Sequence, residues 1–314
     1  MNKVFNDKNK LVLGTAQLGL NYGINNATGQ ATPEVAKQLL ESCMQHGVNY
    51  IDTASVYGNS EEVIGNVLAE AEFTNIQVIT KINIDESIFN QSSEADIYDA
   101  VDFQINKSIQ NLKTSTLFTV LLHRASNLTD CNGAIWSRLM KLKHDGFIKN
   151  LGVSVQTPDE LNKVLTYNEV EFIQLPFNIL DERWSQSIEL INNVKLDRDI
   201  TVHVRSVFLQ GLLLSDNKNH WLRANCKNSE LIVDWLLSVK SQIKRESLAD
   251  LCIAYVRSLS WVDGLVMGME SIEQLNDNMS LFKKRLMSEK EISMIEKTRP
   301  TLTQETLNPA KWNV

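Results

Sequence analysis

Four polar side chains that suit acid–base chemistry lie at the ends of short apolar runs in the first half of the chain. Asp52 and Tyr57 follow one run, Lys81 ends the next, and His123 follows the third. A phenol is a weak acid with a pKa of ~10, and a neighbouring ammonium group stabilises its phenolate. A carboxylate holds that ammonium in place, and an imidazole hydrogen-bonds a substrate oxygen. The set predicts proton delivery to a developing alkoxide.

Reduction at such a site needs a separate source of hydride, because no side chain supplies one. Each residue taken singly also has an ordinary structural explanation, such as a capping aspartate or a packed tyrosine. The convergence of four such residues on one rim favours the catalytic interpretation. Lys81 alone would also suit a Schiff-base lyase, but that alternative gives Tyr57 and Asp52 no role.

Eight β-rich apolar runs alternate with amphipathic helical segments along the chain, without a flexible linker between them. The runs cover residues 11–14, 48–51, 76–80, 117–122, 148–153, 172–175, 200–204 and 264–267. Near-continuous apolar runs are typical of strands buried on both faces. The alternation predicts an α/β protein with one closed (β/α)8 TIM barrel, a single domain over residues 1–314 with an insertion around 215–229 between strands seven and eight. Catalytic groups of such barrels lie at the carboxyl ends of the strands.

Several predicted helices have recognisable starts. Thr32 and Thr157 each precede a proline, and Ser60, Ser93 and Ser271 each begin an amphipathic stretch. Hydroxyl side chains are preferred N-caps, and proline suits the first helical position. We expect helices to begin at these five positions.

The chain has 31 basic and 38 acidic residues and a formal net charge of −7 at pH 7. This balance lacks the wide positive field that nucleic acid or an anionic membrane requires. No apolar run reaches the roughly 18–20 residues of a membrane span, and the polar first residues do not read as a secretory leader. Four scattered cysteines fit a reducing, cytoplasmic setting. No histidine or cysteine spacing suggests a bound metal.

Three segments carry a family resemblance. Residues 52–61, 80–81 and 122–123 (DTASVYGNSE, TK and LH) are similar to the signature and strand-end positions of the aldo-keto reductase family, and the likeness extends over nearly the whole chain. It implies a nicotinamide dinucleotide bound across the barrel mouth without a separate Rossmann domain. It also implies that Tyr57 is the general acid, that Lys81 and Asp52 support it, and that His123 orients the carbonyl group.

The same resemblance implies where the cofactor binds. Residues ending strands five and six hold the nicotinamide carboxamide, the 206–212 loop closes over the pyrophosphate, and the 268–278 segment binds the adenosine end. The helix N-terminus in the last segment is physically suited to an anion. The implied cofactor-binding residues are Ser154, Gln174, Arg205, Ser206, Leu209, Gly211, Gly268, Glu270, Ser271, Gln274 and Asn278.

Three positions depart from the family pattern. Val155 stands where asparagine is usual, and Arg205 stands where an aromatic residue usually stacks on the nicotinamide. Glu270 stands where a basic residue commonly binds the 2′-phosphate of NADP(H). A carboxylate repels a phosphate dianion and accepts hydrogen bonds from a ribose diol, so Glu270 weakens the case for strict NADP(H) preference. The alternatives are use of NAD(H) or a phosphate contact from Lys283 or Lys284.

The expected reaction is NAD(P)H-dependent reduction of a small aldehyde or ketone to an alcohol. The substrate would contact Tyr57 and His123, with Tyr22 and Arg124 as further pocket residues. The Asn- and Gly-rich segment 17–29 suits a polyhydroxylated ligand, so a sugar-derived carbonyl is one candidate. A cofactor-binding regulatory protein of the same fold with little turnover is the alternative outside catalysis.

Overall fold

The computed structural model describes residues 11–21, 29–70, 75–89 and 93–313. Eight parallel strands follow one another in chain order and close into a barrel, in which the last strand pairs with the first. The predicted (β/α)8 fold is therefore confirmed. The strands are β1 Leu11–Gly14, β2 Tyr50–Asp52, β3 Gln77–Ile82, β4 Leu117–Leu122, β5 Ile148–Ser154, β6 Phe172–Pro176, β7 Thr201–Arg205 and β8 Gly264–Gly268.

Two strand boundaries differ from the prediction in a way that affects the site. β2 ends at Asp52 rather than before it, and β3 continues to Ile82, so Lys81 lies inside its strand. Asp52 is in register with Ile79, and Lys81 with Leu121. A charged residue ends the apolar run that marks a strand in the sequence. Here the two charged side chains pair with each other, so the backbone ladder continues through them.

Helices connect the strands and cover the outside of the barrel. In the part of the chain that the structure describes, none of them is long and apolar enough to span a bilayer. They are α1 Ala16–Gly19, α2 Pro33–Gln45, α3 Ser60–Glu70, α4 Glu94–Asn111, α5 Ala134–His144, α6 Pro158–Val164, α7 Ser185–Asp197, α8 Lys218–Arg223, α9 Ser229–Gln242, α10 Leu248–Arg257, α11 Ile272–Phe282, α12 Glu289–Thr298 and α13 Gln304–Leu307.

Side-chain caps are present at four of the five expected helix starts. The hydroxyls of Thr32, Thr157 and Ser271 accept backbone N–H bonds from the first turns of α2, α6 and α11. Ser93 forms a reciprocal capping box at the start of α4. Ser60 differs, because it is the first residue within α3 and not its cap. Its buried hydroxyl contacts the loop after β1 instead.

The connection between β7 and β8 holds more than the one helix that a barrel unit needs, as predicted. It contains the short helix α8 and two longer helices, α9 and α10. Trp221 of α8 is buried, and its indole nitrogen donates to the carbonyl oxygen of Ser215 at 2.9 Å. The insertion therefore packs onto the protein through an apolar anchor of its own.

The barrel interior is a packed core and not a pore. Val12, Ile79, Leu121 and Phe172 form one apolar cluster inside it. His203 on β7 lies edge-on to Phe172, with ring centroids 4.6 Å apart. Burial lowers the pKa of His203 to about 3, so this imidazole is neutral at pH 7. A ligand therefore has to approach from the carboxyl ends of the strands, where barrels of this class carry their sites.

Candidate active site

A buried ion pair lies where β2 and β3 end. The Lys81 ammonium donates to both carboxylate oxygens of Asp52, at 2.9 and 2.8 Å, and to the carbonyl oxygen of Thr53 at 2.8 Å. The Lys81 and Asp52 side chains are only 1% and 5% exposed. Buried charges need an opposite charge and full hydrogen bonding, and this geometry gives Lys81 both.

Tyr57 and His123 adjoin the ion pair at the barrel mouth. The Lys81 nitrogen lies 5.1 Å from the centroid of the Tyr57 ring. The Tyr57 and His123 rings meet edge to face, with centroids 6.1 Å apart and planes at 85°. Both side chains are partly exposed. The structure thus brings the four residues of the acid–base set together, and two of them are open to a ligand.

The His123 imidazole is neutral at physiological pH. Its pKa is lowered to about 4, mainly by burial and further by the positive charges of Lys81, Arg205 and Arg124. A neutral imidazole donates one N–H bond without carrying a charge into the pocket. His123 therefore suits the orientation of a substrate oxygen better than the delivery of a proton at pH 7.

Two glycines hold the Tyr57 loop against the end of the short helix α1. A methyl group on Gly19 would lie 1.8 Å from the carbonyl oxygen of Tyr57, and one on Gly58 would lie 2.1 Å from the carbonyl oxygen of Gly19. Gly58 also has a φ of +56°, in the left-handed region that favours glycine. Backbone therefore meets backbone beside the tyrosine, and any side chain at either position would push the two segments apart.

Replacing Gly19 by alanine is expected to displace Tyr57 and to lower kcat by about 10-fold to 100-fold, because small shifts of a reacting group have effects of this size. The measurement is an initial-rate assay with a carbonyl substrate. Gly146→Ala is the matched control, because Gly146 has a φ of +88° but nothing within 4 Å of the added methyl. Equal kcat values in the two variants would contradict the role given to the Gly19 contact.

A second buried carboxylate, which the sequence analysis missed, supports β3 from behind. Glu61 in the first turn of α3 is 2% exposed. It accepts hydrogen bonds from the Thr80 hydroxyl at 2.6 Å and from the Asn111 amide at 3.2 Å. Thr80 directly precedes Lys81, so this contact fixes the strand beside the ammonium. In the sequence, Glu61 is visible only as an acidic residue soon after Tyr57. Acidic residues are also common in the first turn of a helix, so this signal does not indicate a role at the site.

The residues predicted to hold a nicotinamide carboxamide lie next to the ion pair. Ser154 on β5 is in register with Gln174 on β6, and both side chains are buried. The Gln174 amide nitrogen donates to a carboxylate oxygen of Asp52 at 2.7 Å. The Arg205 guanidinium lies 3.5 Å from the carbonyl oxygen of Val155. Val155 and Arg205, the two departures from the family pattern at this end of the site, are therefore neighbours in space.

The loop predicted to close over a pyrophosphate has an unusual backbone. Ser206, Leu209, Gln210 and Gly211 have φ values of +63°, +48°, +53° and +90°. The Leu209 N–H donates to the carbonyl oxygen of Ser206 at 2.8 Å, and the Gly211 N–H donates to that of Phe208 at 2.9 Å. The acceptors of these two N–H groups lie within the loop. The two hydrogen bonds therefore hold the left-handed residues in their strained conformation.

The segment predicted to bind the adenosine end also satisfies part of its own hydrogen bonding. The Ser271 hydroxyl accepts from the Gln274 N–H at 3.2 Å, and the Gln274 amide oxygen accepts from the Glu270 N–H at 2.8 Å. Gln274 thus closes the start of α11, and the predicted contact with adenine would have to be made by its amide nitrogen. Asn278 is half-buried one turn further along, and Gly268 packs against the side chain of Gln17, the first residue of the 17–29 segment that was predicted to suit a polyhydroxylated ligand.

Two basic residues near the site are paired with acids. Arg124, a predicted pocket residue, forms an exposed ion pair with Glu86, which partly offsets its positive charge. Lys284, an alternative phosphate ligand, forms an ion pair with Glu246 and lies 3.9 Å from Asp250. The predicted substrate residue Tyr22 lies outside the described residues.

A model of the aldo/keto reductase family matches residues 10–300, which is nearly the whole of the barrel. The chain therefore belongs to that family, and the resemblance noted in the sequence is confirmed. It is an oxidoreductase of this family.

Relatives of known name support the same class. An uncharacterized oxidoreductase of Bacillus subtilis is 24% identical over 91% of this chain and 95% of its own. The NADH-specific methylglyoxal reductase of Escherichia coli is 26% identical over 74% of this chain and 78% of its own. The D-arabinose 1-dehydrogenase of Saccharomyces cerevisiae is 27% identical, with coverages of 96% and 92%. An aldo-keto reductase structure from Bacillus halodurans, in its holo form, has a TM-score of 0.73, 21% identity and 95% coverage of both chains, and supports the fold.

Proposed function

We propose that this protein reduces an aldehyde or ketone to an alcohol with a nicotinamide dinucleotide, and that Tyr57 is the proton donor. The observation that carries this proposal is the meeting of Tyr57 and His123 with the buried Asp52–Lys81 pair at the barrel mouth. These four groups match what an alkoxide needs when it forms in a pocket: a proton, a hydrogen-bond donor and a nearby positive charge.

The residues at the mouth also fit the cofactor. The Gln174 amide oxygen is buried and has no hydrogen-bond partner within the described part of the chain. An orphaned buried carbonyl is unfavourable, and the carboxamide N–H of a pyridine nucleotide is the donor that would satisfy it. The bound dihydronicotinamide would supply a hydride, with its electron pair, to the carbonyl carbon.

The protein's own groups complete the reduction. His123 donates an N–H to the carbonyl oxygen and orients it, because its imidazole is neutral. As negative charge develops on that oxygen, the Tyr57 hydroxyl transfers its proton there, and the tyrosine becomes a phenolate. Lys81 stabilises the phenolate by its charge, and Tyr57 regains a proton from solvent after the alcohol leaves.

The proposal is tested by following NADH and NADPH absorbance with methylglyoxal, an aromatic aldehyde and several keto-sugars. Turnover that depends on the carbonyl supports it. Cofactor binding without turnover on any of these carbonyls would favour the regulatory alternative. Covalent trapping of a carbonyl on Lys81 by borohydride would favour the Schiff-base alternative, although an ammonium that directs its hydrogens to Asp52 and Thr53 has no lone pair for that reaction.

We further propose that the protein prefers NADH to NADPH. Glu270 is half-buried. Lys284 is engaged by Glu246 and Asp250. The segment expected to bind the adenosine end thus carries an acid where the family commonly has a basic residue, and one candidate lysine already has acidic partners. The Escherichia coli relative is named for its NADH specificity.

Replacing Glu270 by lysine is expected to tighten NADPH binding about tenfold relative to NADH, because one repulsive charge becomes attractive near a dianion. The measurement is the Kd of each cofactor from tryptophan fluorescence. Glu273→Lys is the control, since Glu273 is exposed in the first turn of α11, the helix that begins just after Glu270. A parent protein that already binds NADPH far more tightly than NADH would overturn the preference.

The D-arabinose 1-dehydrogenase relative makes a sugar-derived carbonyl a second candidate substrate class. Oxidation of D-arabinose with NAD⁺ tests it in the reverse direction. Turnover of methylglyoxal but of no sugar would restrict the substrate to small aldehydes and ketones.

A further inference from the structure

The Gln174 amide connects the ion pair to the mouth of the barrel. Gln174 is fully buried, and its amide nitrogen donates to Asp52 at 2.7 Å. A carboxylate only accepts hydrogen bonds, so the NH2 end of the amide has to face Asp52. The amide oxygen then faces away from Asp52 and has no partner among the described residues.

The hydrogens of Lys81 are all directed to acceptors in this arrangement. Two go to the carboxylate oxygens of Asp52 and one to the carbonyl oxygen of Thr53, and an ammonium has three. A phenolate at Tyr57 needs a donor as soon as its proton has left. Lys81 can provide one only by releasing one of its present acceptors.

We propose that Gln174 is a positioning residue that lets Lys81 release one oxygen of Asp52 and turn to the Tyr57 phenolate. The oxygen in question is Oδ1, the one that Gln174 shares with Lys81. When Lys81 releases Oδ1, this buried oxygen still accepts a hydrogen bond from Gln174. The other carboxylate oxygen, Oδ2, stays hydrogen-bonded to the ammonium or close to it. This inference rests on the proposed function of Tyr57 as the acid.

The arrangement also links cofactor binding to the ion pair. A donor from the bound cofactor at the free amide oxygen would hold the amide in the orientation that serves Asp52. No covalent step is involved, because the change is an exchange of hydrogen bonds around one ammonium group. The amide oxygen of Gln174 would contact the cofactor, whereas its amide nitrogen acts on the ion pair, through Asp52 and then Lys81.

The first test is Gln174→Met, which keeps the volume and removes the amide. We expect kcat to fall about tenfold, the size typical of one lost hydrogen bond to a charged group, and the KM for the carbonyl to change little. Gln77→Met is the matched control, because Gln77 lies at the opposite end of β3 from Lys81 and also has a buried amide oxygen. A parent-like kcat in Gln174→Met would overturn the proposal.

The second test is Gln174→Glu. If Gln174 had only a structural role, this variant and Gln174→Met should not differ in the pH dependence of kcat. A protonated carboxyl donates to Asp52 as the amide does, but an ionised one repels it. The neighbouring carboxylate raises the pKa of the introduced group, so kcat should approach the parent value at acidic pH and fall as the pH rises. A pH profile parallel to that of the parent protein would contradict the proposal.

The ligand-free protein provides a readout that does not depend on turnover. In Gln174→Glu the folded state binds a proton more tightly than the unfolded state, so the free energy of unfolding should decrease as the pH rises through the raised pKa. Gln77→Glu also buries a carboxyl oxygen, but away from Asp52, so its loss should be smaller. If the loss is absent, the Gln174–Asp52 contact is wrong; if it is present but the parent reduces no carbonyl, the proposed function fails instead.

Discussion

Replacing Tyr57 by phenylalanine lowers kcat for carbonyl reduction by roughly 10²-fold to 10⁴-fold, the range expected when a general acid is removed. The ring remains, so its contacts with His123 and with the Lys81 ammonium persist. Only the transferable proton is lost. Cofactor Kd and the free energy of unfolding should therefore match the parent values, while single-turnover rates with a saturating carbonyl fall.

Tyr50→Phe is the control for this experiment. Tyr50 lies two residues before Asp52 on the same strand, and its ring packs against Phe118 and His203 inside the protein and not at the mouth. It should retain parent activity. A Tyr57→Phe variant that reduces carbonyls at the full rate would show that another group donates the proton.

Replacing Lys81 by methionine is expected to destabilise the protein by about 3–5 kcal/mol, because the buried Asp52 carboxylate then lacks its opposite charge. Gln174 would remain as a neutral donor to one oxygen, which offsets only part of the loss. Activity should also be abolished. Urea unfolding at pH 7 measures the first effect, and the carbonyl-dependent assay measures the second.

The double variant Lys81→Met/Asp52→Asn separates loss of charge pairing from loss of packing. It removes both charges, so most of the stability lost in Lys81→Met should return while activity stays absent. The coupling free energy between the two sites follows from the complete double-mutant cycle. If Lys81→Met and the double variant had equal free energies of unfolding, the loss of charge pairing would not be the cause of the destabilisation.

The fold and much of the acid–base set can be predicted from the sequence because their signals are local. Apolar runs, hydroxyl caps and the order of strands place Asp52, Tyr57, Lys81 and His123 on neighbouring strand ends. What local patterns do not give is which charged residue belongs to a strand. Lys81 lies inside β3 because Asp52, on the adjacent strand, satisfies its charge.

Contacts between distant segments account for most of what the sequence could not provide. Gln174 reaches Asp52 across 122 residues of chain, and no pattern around either residue indicates that their side chains meet. The pairing of Arg124 with Glu86 is of the same kind. So is the fit between Gly19 and Gly58, where the informative feature is the absence of a side chain.

The contact between Gly19 and Gly58 determines when the proton donor reaches its reactive position. The backbone that carries the phenol packs directly against the backbone of Gly19. Preorganised dipoles and acids cost little reorganisation energy during a reaction. The proton donor should thus stand ready before any ligand arrives, and differences in rate between substrates should reflect how each carbonyl settles beside it.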